Sequence, residues 1–224
     1  EKNGNVEIMT SMRMKPLDAI WLTMESADTP MHVGVLAIFG KPRNAPADYL
    51  SEWADRMRQA QHPAEPWAYC ISRSLGTLGT RMEEESEFDL EYHFRHSALP
   101  APGGERELGV MVSRLHSHPL DRSRPLWEFH LIEGLERDRF AFYVKVHHAL
   151  VDNVNGIPML LSMLSGSESE RNMPPLWGRP LYSGDVDEQA SSGFPELSEL
   201  AESFGRVADG VRRNFSLRDR QGSF

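Results

Sequence analysis

Cysteine is nearly missing from this chain. Cys70 is the sole one in 224 residues, so no internal disulfide can form. Its expected role is that of a small, partly buried apolar side chain. Long apolar runs are missing too. The longest, residues 33–39, is far too short to span a bilayer. The first residues, Glu1-Lys2-Asn3-Gly4-Asn5, lack the apolar centre of a secretory signal. These features lead us to expect a cytoplasmic protein. Basic charge is in deficit. Lys and Arg number 24 against 33 Asp and Glu, for a net charge of −9. That balance argues against general nucleic-acid binding, which needs a basic face. Glycine-rich phosphate loops, Gly-x-Ser-x-Gly nucleophile turns, internal repeats and low-complexity tracts are all absent.

What is present fits one globular domain with a helical tail. Hydrophobic residues make up 40% and charged residues 25%. The pattern is α/β. Residues 17–24 predict a short helix, with Leu17, Ile20, Trp21 and Met24 at helical spacing. Residues 31–39 predict a strand, and their apolar character on both faces predicts a covered one. Residues 47–60 predict a helix with Leu50, Trp53, Ala54 and Met57 inward and Pro46 at its first turn. Residues 90–94 predict a short strand. Leu108, Met111, Val112 and Leu115 make 105–116 a helix. Residues 127–133 predict a strand, and a turn over 134–138 pairs it antiparallel with the next. In that next strand Phe140, Phe142, Val144 and Val146 share one face, and Arg139, Ala141, Tyr143 and Lys145 the other. Residues 157–164 begin another helix, with Pro158 in its first turn.

The strand over 139–146 leads into His147-His148-Ala149-Leu150-Val151-Asp152-Asn153. If it continues, the two histidines point to opposite sides of the sheet. One can then be structural while the other faces a cleft. The spacing alone admits the plainer reading, a hydrogen-bonded core histidine beside a surface one.

The segment resembles the His-His-x-x-x-Asp-Gly motif of the CoA-dependent acyltransferase superfamily. Three further stretches resemble the bacterial wax ester synthase/diacylglycerol acyltransferase family. They are Leu17-Asp18-Ala19-Ile20-Trp21, Thr29-Pro30-Met31-His32-Val33-Gly34 and Arg122-Ser123-Arg124-Pro125-Leu126-Trp127-Glu128. The likeness runs in order from Met14 to Trp177. It implies a chloramphenicol acetyltransferase-like half, a mixed sheet flanked by helices. It also implies a second half of comparable size, which nothing in this sequence matches. Asn153 stands where the family motif has glycine; asparagine is the next most tolerant residue in the left-handed region.

The resemblance implies an O-acyltransferase moving a fatty acyl group from acyl-CoA to a long-chain alcohol or diacylglycerol. His148 would be the general base, because a neutral imidazole can take the hydroxyl proton near pH 7. His147 would support the geometry, and Asp152 would hold the motif loop. Pro125, Leu126 and Trp127 would form a substrate-side wall; a buried strand start is the equal alternative. No cofactor and no metal is implied, acyl-CoA being a substrate. Expected partners are acyl-CoA, the acceptor alcohol or diacylglycerol, the second half of the enzyme, and a peripheral membrane or lipid-inclusion surface. The other reading is an inactive lipid-binding or regulatory relative with the same half-fold.

The remaining features are weaker. Arg106, Arg114, Arg122 and Arg124 form the densest basic patch, read as solvated surface with service to the coenzyme A phosphates as the alternative. His116 and His118 read as a helix end, where cations are favoured. His93 and His96 lie in a strand-like stretch. Residues 1–13 read as an N-terminal extension, 14–165 as the acyltransferase-like domain and 166–193 as a linker. Residues 194–224 read as an amphipathic helix leading toward the second domain, with Leu197, Leu200, Ala201, Phe204, Val207, Ala208 and Val211 on one stripe. That stripe needs a partner surface: its own domain, the second half or lipid.

Overall fold

Alternation over residues 139–147 produces an interior strand of a four-stranded sheet. In the computed structural model the described residues are 11–14, 16–72, 81–151, 164–165, 167 and 173–180. In chain order the elements are β1 (Ser11–Arg13), α1 (Pro16–Met24), β2 (His32–Gly40), α2 (Tyr49–Arg58), β3 (Tyr69–Ile71), β4 (Arg81–Glu84), α3 (Leu90–His93), β5 (Phe94–Ala98), α4 (Glu105–Ser117), β6 (Trp127–Leu135) and β7 (Arg139–His147). The main sheet runs β2-β7-β6-β5 and a small one runs β1-β4-β3. β7 is antiparallel to β2 and β6, whereas β5 is parallel to β6. This is the mixed sheet flanked by helices that the family resemblance implies.

The predicted β6–β7 hairpin is present, with Trp127 opposite Val146 and Leu135 opposite Arg139. Arg137 and Asp138 turn the chain with φ of 62° and 53°, matching the twist of the flanking strands. A register shift lies between Ile132 and Leu135, and Gly134 there has φ of 80°. A Cβ on Gly103 would lie 1.9 Å from the Gly134 carbonyl oxygen. Only glycine lets the turn before α4 approach the hairpin this closely.

One face of the sheet carries the aromatic core. Trp127, Phe129, Leu131, Phe140, Val144 and Val146 pack with Leu50, Ala54 and Met57 of α2. Trp177 returns into this core from beyond residue 165. It is fully buried, stacks on Trp127 with centroids 5.5 Å apart, and donates its indole N–H to the Ala60 carbonyl. Part of the stretch read as a linker thus packs on the domain; a lone apolar pair among prolines carries no periodicity to announce it. The C-terminal stripe over 194–224 and the helix expected over 157–164 lie outside the described residues, except Leu164.

Several local expectations need correcting. Residues 90–93 form a helical turn, not a strand, because the Asp89 side chain accepts from the Tyr92 N–H and caps it. His93 closes that turn, and β5 starts only at Phe94. Pro46 sits in the turn ahead of α2, not in its first turn; the Tyr49 N–H bonds to its carbonyl. β2 is not covered. It is an edge strand with Val33, Leu36 and Ile38 about two-fifths exposed, at 37%, 40% and 39%. On α1, Ile20 and Met24 of the expected inward stripe are exposed.

The opposite face of the sheet lies under α4. Near the hairpin it is apolar: Ile132, Leu135, Ala141 and Tyr143 meet Leu108. Toward the other end it becomes polar, yet it stays buried. Lys145 is 1% exposed, so β7 is covered on both faces. Its ammonium lies 3.1 Å from Glu128 and donates to the Leu115 and His118 carbonyls at 2.9 Å. His130 donates to the same Glu128 carboxylate at 3.1 Å. Lys145 thus satisfies the open C-terminal end of α4. Burial acts to raise the Glu128 pKa, but the His130 hydrogen bond and the Lys145 charge outweigh it and hold the carboxyl at about 2. For Lys145 burial is the larger influence and lowers its pKa.

Removing one member of a buried pair strands the other. Lys145→Met should therefore cost about 3–5 kcal/mol in urea unfolding. Adding Glu128→Gln should return part of the loss. A cost below about 1 kcal/mol would show that this pair is solvated.

Candidate active site

β7 ends between two strands, and the amides of its last residue and of the next one divide between the residues that lead into those strands. The His147 N–H bonds to the Leu126 carbonyl at 3.0 Å, and the His148 N–H to the Met31 carbonyl at 2.9 Å. Each histidine is therefore pinned through its backbone to one neighbouring segment. Immediately afterwards the chain turns, with the Leu150 N–H bonding back to the His147 carbonyl. The strand stops at His147, two residues before the expected end near Ala149.

The two rings have different surroundings. His147 is wholly buried. Its Nδ1 accepts the Ala149 N–H at 2.9 Å, so in the neutral ring the proton sits on Nε2. That Nε2 lies 3.4 Å from Glu25 Oε1. The approach is off the line of a hydrogen bond, and Nε2 has no hydrogen-bond partner among the described residues. The contact is electrostatic. Burial drives the His147 pKa down to about 4; Glu25 pulls it upward, while Arg122, His148 and His32 push it further down. His147 is a neutral, enclosed ring at pH 7.

His148 is partly buried and stacks on Trp21, with centroids 4.8 Å apart and planes 24° from parallel. Burial lowers its pKa below the ordinary histidine value. A neutral imidazole held by an indole face is a proton acceptor at neutral pH.

Glu25 follows α1 directly, and its side chain is 7% exposed. Oε1 accepts the Met31 N–H at 3.1 Å; Oε2 accepts from Arg122 Nε at 2.8 Å. Burial acts to raise its pKa, but the Met31 N–H, Arg122 and His147 bring the net direction down.

A second layer lies beside His147. His32 stands opposite it in the β2–β7 register. His32 Nε2 donates to the His116 carbonyl at 2.8 Å, and the Tyr143 hydroxyl and His116 Nδ1 share a hydrogen bond of 2.9 Å. Burial lowers the His32 pKa and raises that of Tyr143. Gly34 keeps this contact possible: a Cβ there would lie 2.7 Å from the Tyr143 hydroxyl and 2.9 Å from His116 Nδ1.

Of the expected site residues, His147 and His148 stand together at the strand end as described. Asp152 and Asn153 lie outside the described residues. Pro125, Leu126 and Trp127 are all buried. Leu126 reaches the site through its carbonyl, while the Trp127 indole donates to the Trp67 carbonyl in the core. The basic patch divides. Arg122 binds Glu25 and the Leu22 carbonyl, Arg124 lies 4.2 Å over the Tyr92 ring, and Arg106 and Arg114 are exposed on α4. His116 and His118 do end a helix, and the His118 ring donates to the Arg114 carbonyl. His93 is buried between Phe88 and Trp127 and donates to the Trp127 carbonyl.

Glu25 was not legible. It is one of 33 acidic residues, and only its place between two family-like stretches hinted at a role. Among the described residues no group of three His, Cys, Asp or Glu could hold a metal ion, and no helix is long and apolar enough to cross a membrane. A cleft of about 580 Å³ lies between α1, β3 and residues 121–123, with Leu22, Thr23, Ile71 and Arg122 in its lining. Neither His147 nor His148 lines it, so the chemistry of the strand end, not this cleft, defines the candidate site.

Comparison with known proteins agrees with the geometry. The family model for the wax ester synthase/diacylglycerol acyltransferase catalytic domain matches residues 14–221. The O-acyltransferase WSD of Acinetobacter baylyi is 41% identical over 165 residues, which cover 73% of this chain and 35% of that protein. The solved wax ester synthase/diacylglycerol acyltransferase of Marinobacter aquaeolei VT8 superposes with a TM-score of 0.71 at 40% identity, covering 90% of this chain and 47% of that one. A starter condensation domain of rhizomide synthetase shares the fold at a TM-score of 0.52 and 13% identity, over 69% of this chain and 34% of its own. The chain thus spans between a third and a half of the length of these relatives. The matched residues include both histidines, the Glu25 clamp and the strands that carry them, and the chain belongs to the wax ester synthase/diacylglycerol acyltransferase catalytic domain family.

Proposed function

We propose that this chain carries the histidine-bearing part of an O-acyltransferase that moves a fatty acyl group from acyl-CoA to a long-chain alcohol or a diacylglycerol. The observation that carries the reading is the contrast between the two rings: His147 is enclosed, whereas His148 is neutral, partly open and stacked on Trp21. In this mechanism His148 takes the proton of the acceptor hydroxyl as its oxygen attacks the thioester carbonyl. The tetrahedral intermediate collapses, the carbon–sulfur bond breaks, and the departing sulfur takes the proton back from His148. The products are an ester and free CoA. No covalent enzyme intermediate and no metal takes part. In this reading Asp152 holds the motif loop, and buried Pro125, Leu126 and Trp127 serve as the strand start whose Leu126 carbonyl receives the His147 N–H. Two long apolar substrates imply contact with a lipid surface.

His148→Ala, in a polypeptide that sustains turnover, should lower ester formation about a hundredfold or more with the circular dichroism unchanged. Near-normal turnover would remove His148 as the base.

The pH profile gives a separate check. Because burial lowers the His148 pKa, the neutral base persists through pH 7, and kcat/KM should fall only as pH drops below the ordinary histidine range of about 6.5. An acidic limb centred above that value would contradict the assignment.

Residues 1–224 alone should neither release CoA with a long-chain alcohol nor remain a monomer in gel filtration. The site must exclude water from the thioester, and Ile20 and Met24, on the helix that carries Trp21, are 48% and 57% exposed. Robust turnover by a monodisperse monomer would overturn this expectation.

A further inference from the structure

We infer that Glu25 is a positioning residue: clamped by Arg122, its carboxylate fixes His147 as the Nε2–H tautomer and so sets the turn that presents His148. Only the kinetic half of this inference rests on the proposed acyl transfer.

Three contacts of the carboxylate converge on the strand end. Oε1 faces His147 Nε2 at 3.4 Å. The same oxygen accepts the Met31 N–H at 3.1 Å, and the Met31 carbonyl receives the His148 N–H at 2.9 Å. Glu25 therefore touches the ring of one histidine directly and holds the backbone of the other through a single residue. Oε2 takes two nitrogens of Arg122, Nε at 2.8 Å and a terminal nitrogen at 2.7 Å. Arg122 is anchored in turn to the Leu22 carbonyl. A carboxylate that is 7% exposed stays charged and fixed because all of these donors surround it.

The tautomer matters because His147 Nδ1 accepts the Ala149 N–H. A proton on Nδ1 would set two donors against each other, and the turn after His147 would open. Burial alone favours a neutral ring but does not choose between tautomers. A negative oxygen opposite Nε2 does choose, since it attracts the N–H and repels a bare lone pair. Arg122 keeps the carboxylate from collecting a proton of its own. The groups facing His147 are Glu25 after α1, Arg122 in the 121–124 turn, His32 on β2 and neighbouring His148. Among the described residues facing His147, Glu25 is the sole anion, so it is the charged group that reinforces the Nε2–H tautomer the Ala149 N–H calls for.

The test uses protein labelled with 15N-histidine and examined, sedimented, by magic-angle-spinning NMR, which tolerates self-association. Wild-type His147 should show one protonated and one bare ring nitrogen, assigned as Nε2–H. Glu25→Gln keeps the shape, removes the charge and sets an amide N–H₂ against Arg122. It should yield a mixture of tautomers and, where turnover is measured, about a tenfold lower kcat at unchanged KM; Glu25→Asp should recover part of both. An Nδ1–H tautomer in the wild type, or an unchanged single tautomer in Glu25→Gln, would overturn the inference. The wild-type spectrum alone decides the first point if the variant fails to fold. Undiminished turnover of His148→Ala in a turnover-competent polypeptide, beside the expected tautomer behaviour, would sink the proposed reaction and leave this inference standing.

Discussion

The split of two consecutive amides at the end of β7, His147 toward Leu126 and the next residue, His148, toward Met31, is the constraint on which the site depends. In a strand, consecutive amides point to opposite edges and consecutive side chains to opposite faces. Two adjacent histidines at a strand end are therefore bound to have different environments. Antiparallel pairing on both edges of β7 makes that difference rigid. One ring goes under the sheet among Glu25, His32 and Arg122. The other emerges against Trp21. Strand geometry thus separates two histidines that the sequence places side by side.

The layer beneath α4 shows how the fold tolerates charge so close to an apolar core. Apolar contacts hold the hairpin end, and the Lys145–Glu128–His130 cluster holds the end near the site. Lys145 serves two carbonyls at the end of α4 as well as Glu128, so its desolvation is offset by three partners. This fixes the C-terminal end of α4, from which His116 reaches Tyr143 and receives His32. The buried charges thus bear on the position of β2, and β2 is preceded by Met31, whose carbonyl pins His148.

Periodicity made β7, α4 and the hairpin legible, because each buries one regular face or stripe. It failed where contacts cross the chain. Nothing local distinguishes Lys145 from a solvated strand lysine; its partners lie 17 residues away in Glu128 and at the end of α4. Glu25 and Arg122 are 97 residues apart and meet only in the fold. The apolar character of β2 suggested a covered strand, yet a strand at the edge can be apolar on both faces and still be open. Asp89 hid a helical turn in a stretch whose apolar residues read as strand, because a cap is a single side chain and leaves no period.

The stretches that carried the family likeness also acquire a physical meaning. Each delivers contacts at or beside the same strand end. The Leu17–Trp21 stretch supplies the indole under His148. The Thr29–Gly34 stretch supplies the Met31 carbonyl, the buried His32 and the one residue, Gly34, small enough for the Tyr143–His116 bond beside it. The Arg122–Glu128 stretch supplies the clamp on Glu25, the Leu126 carbonyl and the acid that neutralises Lys145. Every residue carries a backbone carbonyl, so a contact made through one depends on where the chain is held and not on which side chain it bears. Pro125 and Leu126 are both buried, and burial holds the chain there with the Leu126 carbonyl against the His147 N–H.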